Sequence, residues 1–308
     1  MSELTWFDKP NPRAAFRQEW SAVMLIRPDQ QQCDPPLGGG GAQHLQRLLV
    51  LAPIMALLAV MGWTASTGIP DSLSSYHGGQ YRDLFVGGLI GTAVALLGYW
   101  GVTPIEDYTL NVAGFYATIV ALVPNDIATQ ISEMATSGQT SPRDVVRIIL
   151  GGALVTVVAF VFVDYTRSGW SMGWLAKGPG LLRNLTLTSL AVLAAYAVWL
   201  AVNVVNPATT FAWVHTPAAV LLFIHLGIAV AAQGWQWMPQ AIEPSPARRR
   251  LYRAVVVGML AAPVVVWLLL GLWLKLPQAV LVLEVIEVLL FSVFWISEIG
   301  RFWKVPNT

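Results

Sequence analysis

The chain has 308 residues, 56% hydrophobic and only 11% charged, against roughly a quarter charged in an ordinary soluble domain. The solvent for most of it is therefore lipid rather than water. A formal net charge of +1 excludes the basic field that a nucleic-acid binder needs, and the single cysteine, Cys33, excludes an internal disulfide or a cysteine-cluster metal site.

The first residues, "MSELTWFDKPNPRAAF", carry no basic-then-apolar signal, so the first span is expected to direct insertion. Residues 1–44 read as a cytoplasmic tail. Within it, Asn11 caps and Pro12 opens a short segment that puts Phe16, Trp20 and Val23 on one face. Two readings stay open: an amphipathic helix on the inner leaflet, or a frayed tail. "DPPLGGGG" (34–41) is a flexible linker into the first span.

A span needs about 20 mostly apolar residues. Qualifying stretches run near 46–66, 84–101, 109–124, 145–164, 182–205, 216–233, 252–275 and 279–299. The fold class is all-α, a polytopic transmembrane helix bundle of about eight spans within 45–300, with a short tail at 301–308. The third span is short and stops at Pro124, and the polar stretch 125–140 is a loop. The fourth opens cleanly, with Ser141 at the cap, Pro142 in the first turn and Asp144 at capping-box spacing. The last two are joined only by "LPQA", which predicts a tight helical hairpin. Trp170, Trp174, Trp213, Trp235 and Trp237 lie near span ends, where an interfacial aromatic belt sits.

With a cytoplasmic N-terminus, eight spans place fourteen of the basic residues inside (Lys9, Arg13, Arg17, Arg27, Arg47, Arg167, Lys177, Arg183, Arg248, Arg249, Arg250, Arg253, Arg301 and Lys304) and four outside (Arg82, Arg143, Arg147 and Lys275). That asymmetry follows the positive-inside rule. It predicts a plasma-membrane protein, of the cell inner membrane, with both termini cytoplasmic. The basic run Arg248–Arg250 is mainly this signal, with anionic lipid head groups as a secondary partner.

Polar groups within a bilayer are expensive and usually face the bundle interior. On this topology His77, Arg82, Asp83, His215, Glu284 and Glu287 fall in the outer half, from several spans and one loop. Glu287 lies on the order of 10 Å into the hydrocarbon at 1.5 Å per residue; a carboxylate there must find a cation, find donors or take up a proton. His225 sits near mid-depth. Glu106 and Asp107, just before the third span, are explained by the helix dipole.

Three readings of the outer cluster stay open. It is a buried polar network that pins packing, a proton or cation relay, or a divalent-metal site in which His77, His215 and Glu284 ligate. The first two go with a non-enzymatic role in small-solute or proton transport, sensing or membrane assembly. The third goes with a metal-dependent hydrolase acting on a lipid or lipid-linked substrate, with Arg82 holding an anionic head group.

Several segments also carry a family resemblance. "SYHGGQYRDLFVGG" (75–88), "GYWGVTPIEDYTLNVAGFYATIVALVPN" (98–125), "VHTPAAVLLF" (214–223), "RRLYRAVVVGM" (249–259) and "EVIEVLLFSVFWISE" (284–298) follow one another in order. They resemble a broad bacterial family of multi-pass membrane proteins whose pattern reads YYHT..RDVFVG, GYD..D..N.AG, IH..AA, YR.CG and E......F..SW. The resemblance implies family-typical positions at His77, Arg82, Asp83, Asp107, His215 and Glu284, and it implies no named activity. The long N-terminal tail and an extra pair of spans near 140–205 depart from the pattern. Seven-span hydrolases of the alkaline ceramidase type also combine Ser, Asp and His, but their late HxxxH pair is missing here.

Overall fold

A computed structural model describes residues 68–77, 82–99, 101, 103–124, 136, 141–168, 180–205, 214–237 and 243–302. A 3₁₀ turn, Leu73–His77, leads into α1 (Arg82–Gly98), α2 (Pro104–Leu122), α3 (Pro142–Ser168), α4 (Gly180–Val205), α5 (His215–Trp235), α6 (Pro246–Val266) and α7 (Ala279–Phe302). These helices fall on the second to eighth predicted spans, and no strand occurs among the described residues. The first predicted span (46–66), the tail 1–44, nearly all of the loop 125–140 and residues 303–308 lie outside the described residues.

Among the described residues, five helices are long and apolar enough to cross a membrane: Asp144–Phe162, Arg183–Val205, His215–Trp235, Pro246–Trp273 and Ala279–Arg301. Their outer faces are apolar, as lipid demands. Ile148, Val155 and Phe162 recur along exposed α3, Val198 and Val202 along α4, and Leu289, Val293 and Ile296 along α7. A water-facing helix would place charge there. The chain is an integral membrane protein. Of the remaining two helices, α1 has 17 residues, and α2 is enclosed by other helices, with every residue from Leu110 to Ala117 buried.

Two boundaries differ from the sequence reading, each because a cap outweighs hydropathy. Thr103 takes an extended conformation and its hydroxyl accepts the Glu106 N–H, so α2 starts at Pro104 rather than near 109 and draws Glu106 and Asp107 into its first turn. Ser245 accepts the Arg248 N–H, so α6 starts at Pro246 and the basic run is helical. Beyond the internal Pro263, α6 passes into a π-helical segment, Trp267–Trp273, and a short turn with Lys275 in the left-handed region (φ 52°) leads into α7. The expected hairpin of the last two spans is present, since α6 and α7 pack together.

The core is α2 seated between α1 and α5, with α3 also against it and α6 and α7 beyond α5. Gly114 permits the close approach of α1: a Cβ there would lie 2.9 Å from the Ala93 carbonyl oxygen and 2.9 Å from Leu97 Cγ. Small residues serve the same end in other membrane helix pairs. At one end of the bundle, the start of α5 meets the end of α2 (His215 on the Val123 carbonyl) and the lead-in turn meets the start of α7 (Leu73 on Glu284). At the other, the start of α2 meets the end of α5, and the starts of α6 and the ends of α5 and α7 converge. So α2 runs opposite to α5, and α7 runs in the same direction as α5.

Candidate functional site

At the His215 end, α1, α2, α5, α7 and the lead-in turn enclose a cavity of about 90 Å³. Leu89, Leu96, Val120, Leu222, Val288 and Phe291 make most of its wall. Ser74, Thr92, His215 and Glu284 supply the polar groups. Glu284 is half-buried, and its Oε2 accepts the Leu73 N–H at 2.7 Å. Its other oxygen meets no hydrogen-bond donor among the described residues. His215 is 4% exposed, and its Nδ1 donates to the Val123 carbonyl at 2.6 Å. In a neutral ring that bond makes Nε2 the acceptor nitrogen. The carboxylate and the imidazole are thus each aimed by a backbone group, on the wall of one apolar hollow.

The other predicted cluster residues divide. Glu287 is 4% exposed, one turn along α7 from Glu284. Arg82 and Asp83 open α1 and are exposed, so neither is buried in the cluster. His77 ends the lead-in turn, and its side chain lies outside what is described. Among the described residues no three His, Cys, Asp or Glu side chains gather into a group able to hold a metal ion.

A second polar system, at the opposite end, was not assembled by sequence reasoning. Glu106 Oε2 accepts the Gln233 amide at 2.6 Å. Arg301 Nη1 donates to Gln233 Oε1 at 3.4 Å and to Glu298 Oε1 at 3.2 Å. The Tyr252 hydroxyl donates to the same Glu298 oxygen. Glu106, Gln233, Tyr252, Glu298 and Arg301 are all buried, on four helices. The dipole reading of Glu106 and Asp107 explains only part of their roles. Asp107 accepts the Gly101 N–H at 3.1 Å, where any side chain in place of Gly101 would strike the α2 backbone. A signal did exist in α7: Glu287, Phe291, Phe294, Glu298 and Arg301 recur at helical spacing, and all five are buried.

Near mid-depth, His225 Nδ1 donates to the Leu221 carbonyl at 2.7 Å. Its Nε2 therefore accepts from Ser189 Oγ at 2.7 Å, and Ser189 accepts from the Tyr108 hydroxyl at 2.8 Å. The chain has one self-consistent direction and ties α4 to α2 and α5. Ser189→Ala leaves His225 Nε2 facing a methyl group, and the expected loss is about 1–3 kcal/mol, read by unfolding in detergent.

The basic run is partly engaged in the protein. Arg249 donates to Gln236 Oε1. Arg253 donates to the Gly234 carbonyl at 2.9 Å and lies over the Trp235 ring. Both cations close the C-terminal end of α5, where the helix dipole favours them. Arg250 is exposed. Compared with family models, with curated proteins and with solved structures, the chain finds no match.

Proposed function

We propose that this integral membrane protein has a non-enzymatic role in which the cavity beside Glu284 and His215 binds a small amphiphile, for its transport or for sensing it. One observation carries the reading. Glu284 lines a mostly apolar hollow with one oxygen held by the backbone and the other without a donor among the described residues. An apolar body with a cationic or donor head complements such a site. By the charge rule this cavity faces the outer half of the membrane. At the opposite end, the exposed Arg250 supports a contact with anionic head groups.

Octylammonium is a suitable probe. With the protein in lipid nanodiscs, wild type is expected to bind it beyond the level of empty nanodiscs, and octanol much more weakly. Glu284→Gln keeps an acceptor for Leu73 but removes the charge. A charged hydrogen bond contributes about 1.5–3 kcal/mol, so affinity is expected to fall roughly ten- to a hundredfold. Leu222→Trp, which fills the hollow from α5, is expected to block binding without touching Glu284. Equal binding by wild type and both variants would refute the proposal.

A further inference from the structure

We propose that Glu287 holds an exchangeable proton, and that this proton is released when a cation binds at Glu284. The inference rests on the cavity reading above and adds its coupling ion.

The geometry sets Glu287 apart from the other buried carboxyls. Glu106 has the Gln233 amide, and Glu298 has Tyr252 and Arg301. Glu287 is as buried as Arg301, yet neither of its oxygens meets a donor or cation among the described residues, and Oε2 is wholly enclosed. It lies eight residues beyond the start of α7, roughly 12 Å along the helix. An ionised carboxylate placed there bears its full desolvation cost, and no donor or cation among the described residues offsets it. The neutral acid is the form that fits.

Among the described residues its titratable surroundings are few. Glu284 is on its own helix. The lead-in segment brings Asp71, whose carbonyl accepts the Leu281 N–H, and ends at His77. From α5 comes His215, which is bound to the Val123 carbonyl. From Ala254 to Leu274, α6 and its π-helical extension carry no titratable side chain, and Lys275 beyond them is exposed. Arg82 and Asp83 are exposed at the start of α1.

Glu284 and Glu287 stand at i, i+3, with Cβ atoms roughly 5–6 Å apart. Two anions at that spacing repel, so one is neutral when the cavity holds no cation. A cation seated against Glu284 stabilises negative charge on both groups, and the Glu287 proton leaves. One positive charge enters and one departs. By linkage, returning the proton weakens the cation by the same factor.

The test uses the full chain in nanodiscs and N,N′-dicyclohexylcarbodiimide, an apolar reagent that adds to protonated carboxyls in apolar surroundings. Peptide mass spectrometry locates the adduct. Wild type is expected to carry it on Glu287, Glu287→Gln to lose it, and Glu284→Gln to keep it. Octylammonium is expected to suppress labelling in wild type but not in Glu284→Gln. A folded wild type without an adduct on Glu287 overturns the proposal. So does an adduct that octylammonium leaves unchanged while it binds. If octylammonium does not bind at all, the cavity reading falls and the linkage with it, whatever the adduct shows.

Discussion

Arg301→Ala is expected to lower the stability of the protein by about 3–5 kcal/mol, the range for removing one partner of a buried ion pair. Arg301 is 4% exposed and donates to both Glu298 and Gln233. Its loss leaves the Glu298 carboxylate, 1% exposed, hydrogen-bonded by the Tyr252 hydroxyl but without its ion-pair partner. It also removes the link from α7 to the Gln233–Glu106 pair, and so the join between the ends of α5 and α7 and the start of α2. Arg301→Lys keeps the charge but not the planar fork, so a smaller loss is expected. The decisive comparison is a double-mutant cycle in detergent. If the pair is coupled, adding Glu298→Gln to Arg301→Ala should cost less than the two separate losses together. Strict additivity would mean that Arg301 acts through packing alone.

The helices were legible in the sequence because each carries its own signal over its own length. Apolar runs marked α3 to α7, Pro142 and Ser141 marked the start of α3, and "LPQA" marked the final hairpin. The network around Glu106, Gln233, Glu298 and Arg301 was not legible, because its pairings reach across the fold: Glu106 and Gln233 are 127 residues apart. Glu106 also looks sufficiently explained by its place in a first helical turn, and Arg301 by the positive-inside rule. Each local explanation concealed a long-range partner. The outer cluster shows the converse. Convergence on one side of the membrane brought His215 and Glu284 to the same cavity, but a shared depth did not bring Arg82 and Asp83 inside, since depth fixes no helix rotation. Rotation is set by packing, and the α7 stripe from Glu287 to Arg301 records it.

Trp295→Ala is expected to have an effect of similar size for a different reason. Trp295 is 1% exposed, stacks on Phe291 with ring centroids 5.8 Å apart, and meets Tyr99 edge-on at 4.8 Å. Truncating a large buried aromatic costs about 3–5 kcal/mol when the cavity cannot collapse, and here the walls are fixed by helices on either side. The position also matters to function. Glu287 and Glu298 are eleven residues apart on α7, roughly 16 Å along the axis, and the buried residues between them are all aromatic: Phe291, Phe294 and Trp295. Phe294 packs in turn on Tyr252, the ring that donates to Glu298. These rings, with Trp295 and Tyr99, form an apolar partition between the cavity that holds Glu284 and the network that holds Glu298. A proton on Glu287 therefore has no polar side chain on that stripe to carry it onward. Removing the Trp295 ring opens space for water in the partition. Proteoliposomes of Trp295→Ala are accordingly expected to leak protons faster than wild type, whereas Trp295→Phe, which keeps a ring in place, is expected to stay tight. A stable, proton-tight Trp295→Ala variant would show that the barrier between the two polar ends is built elsewhere.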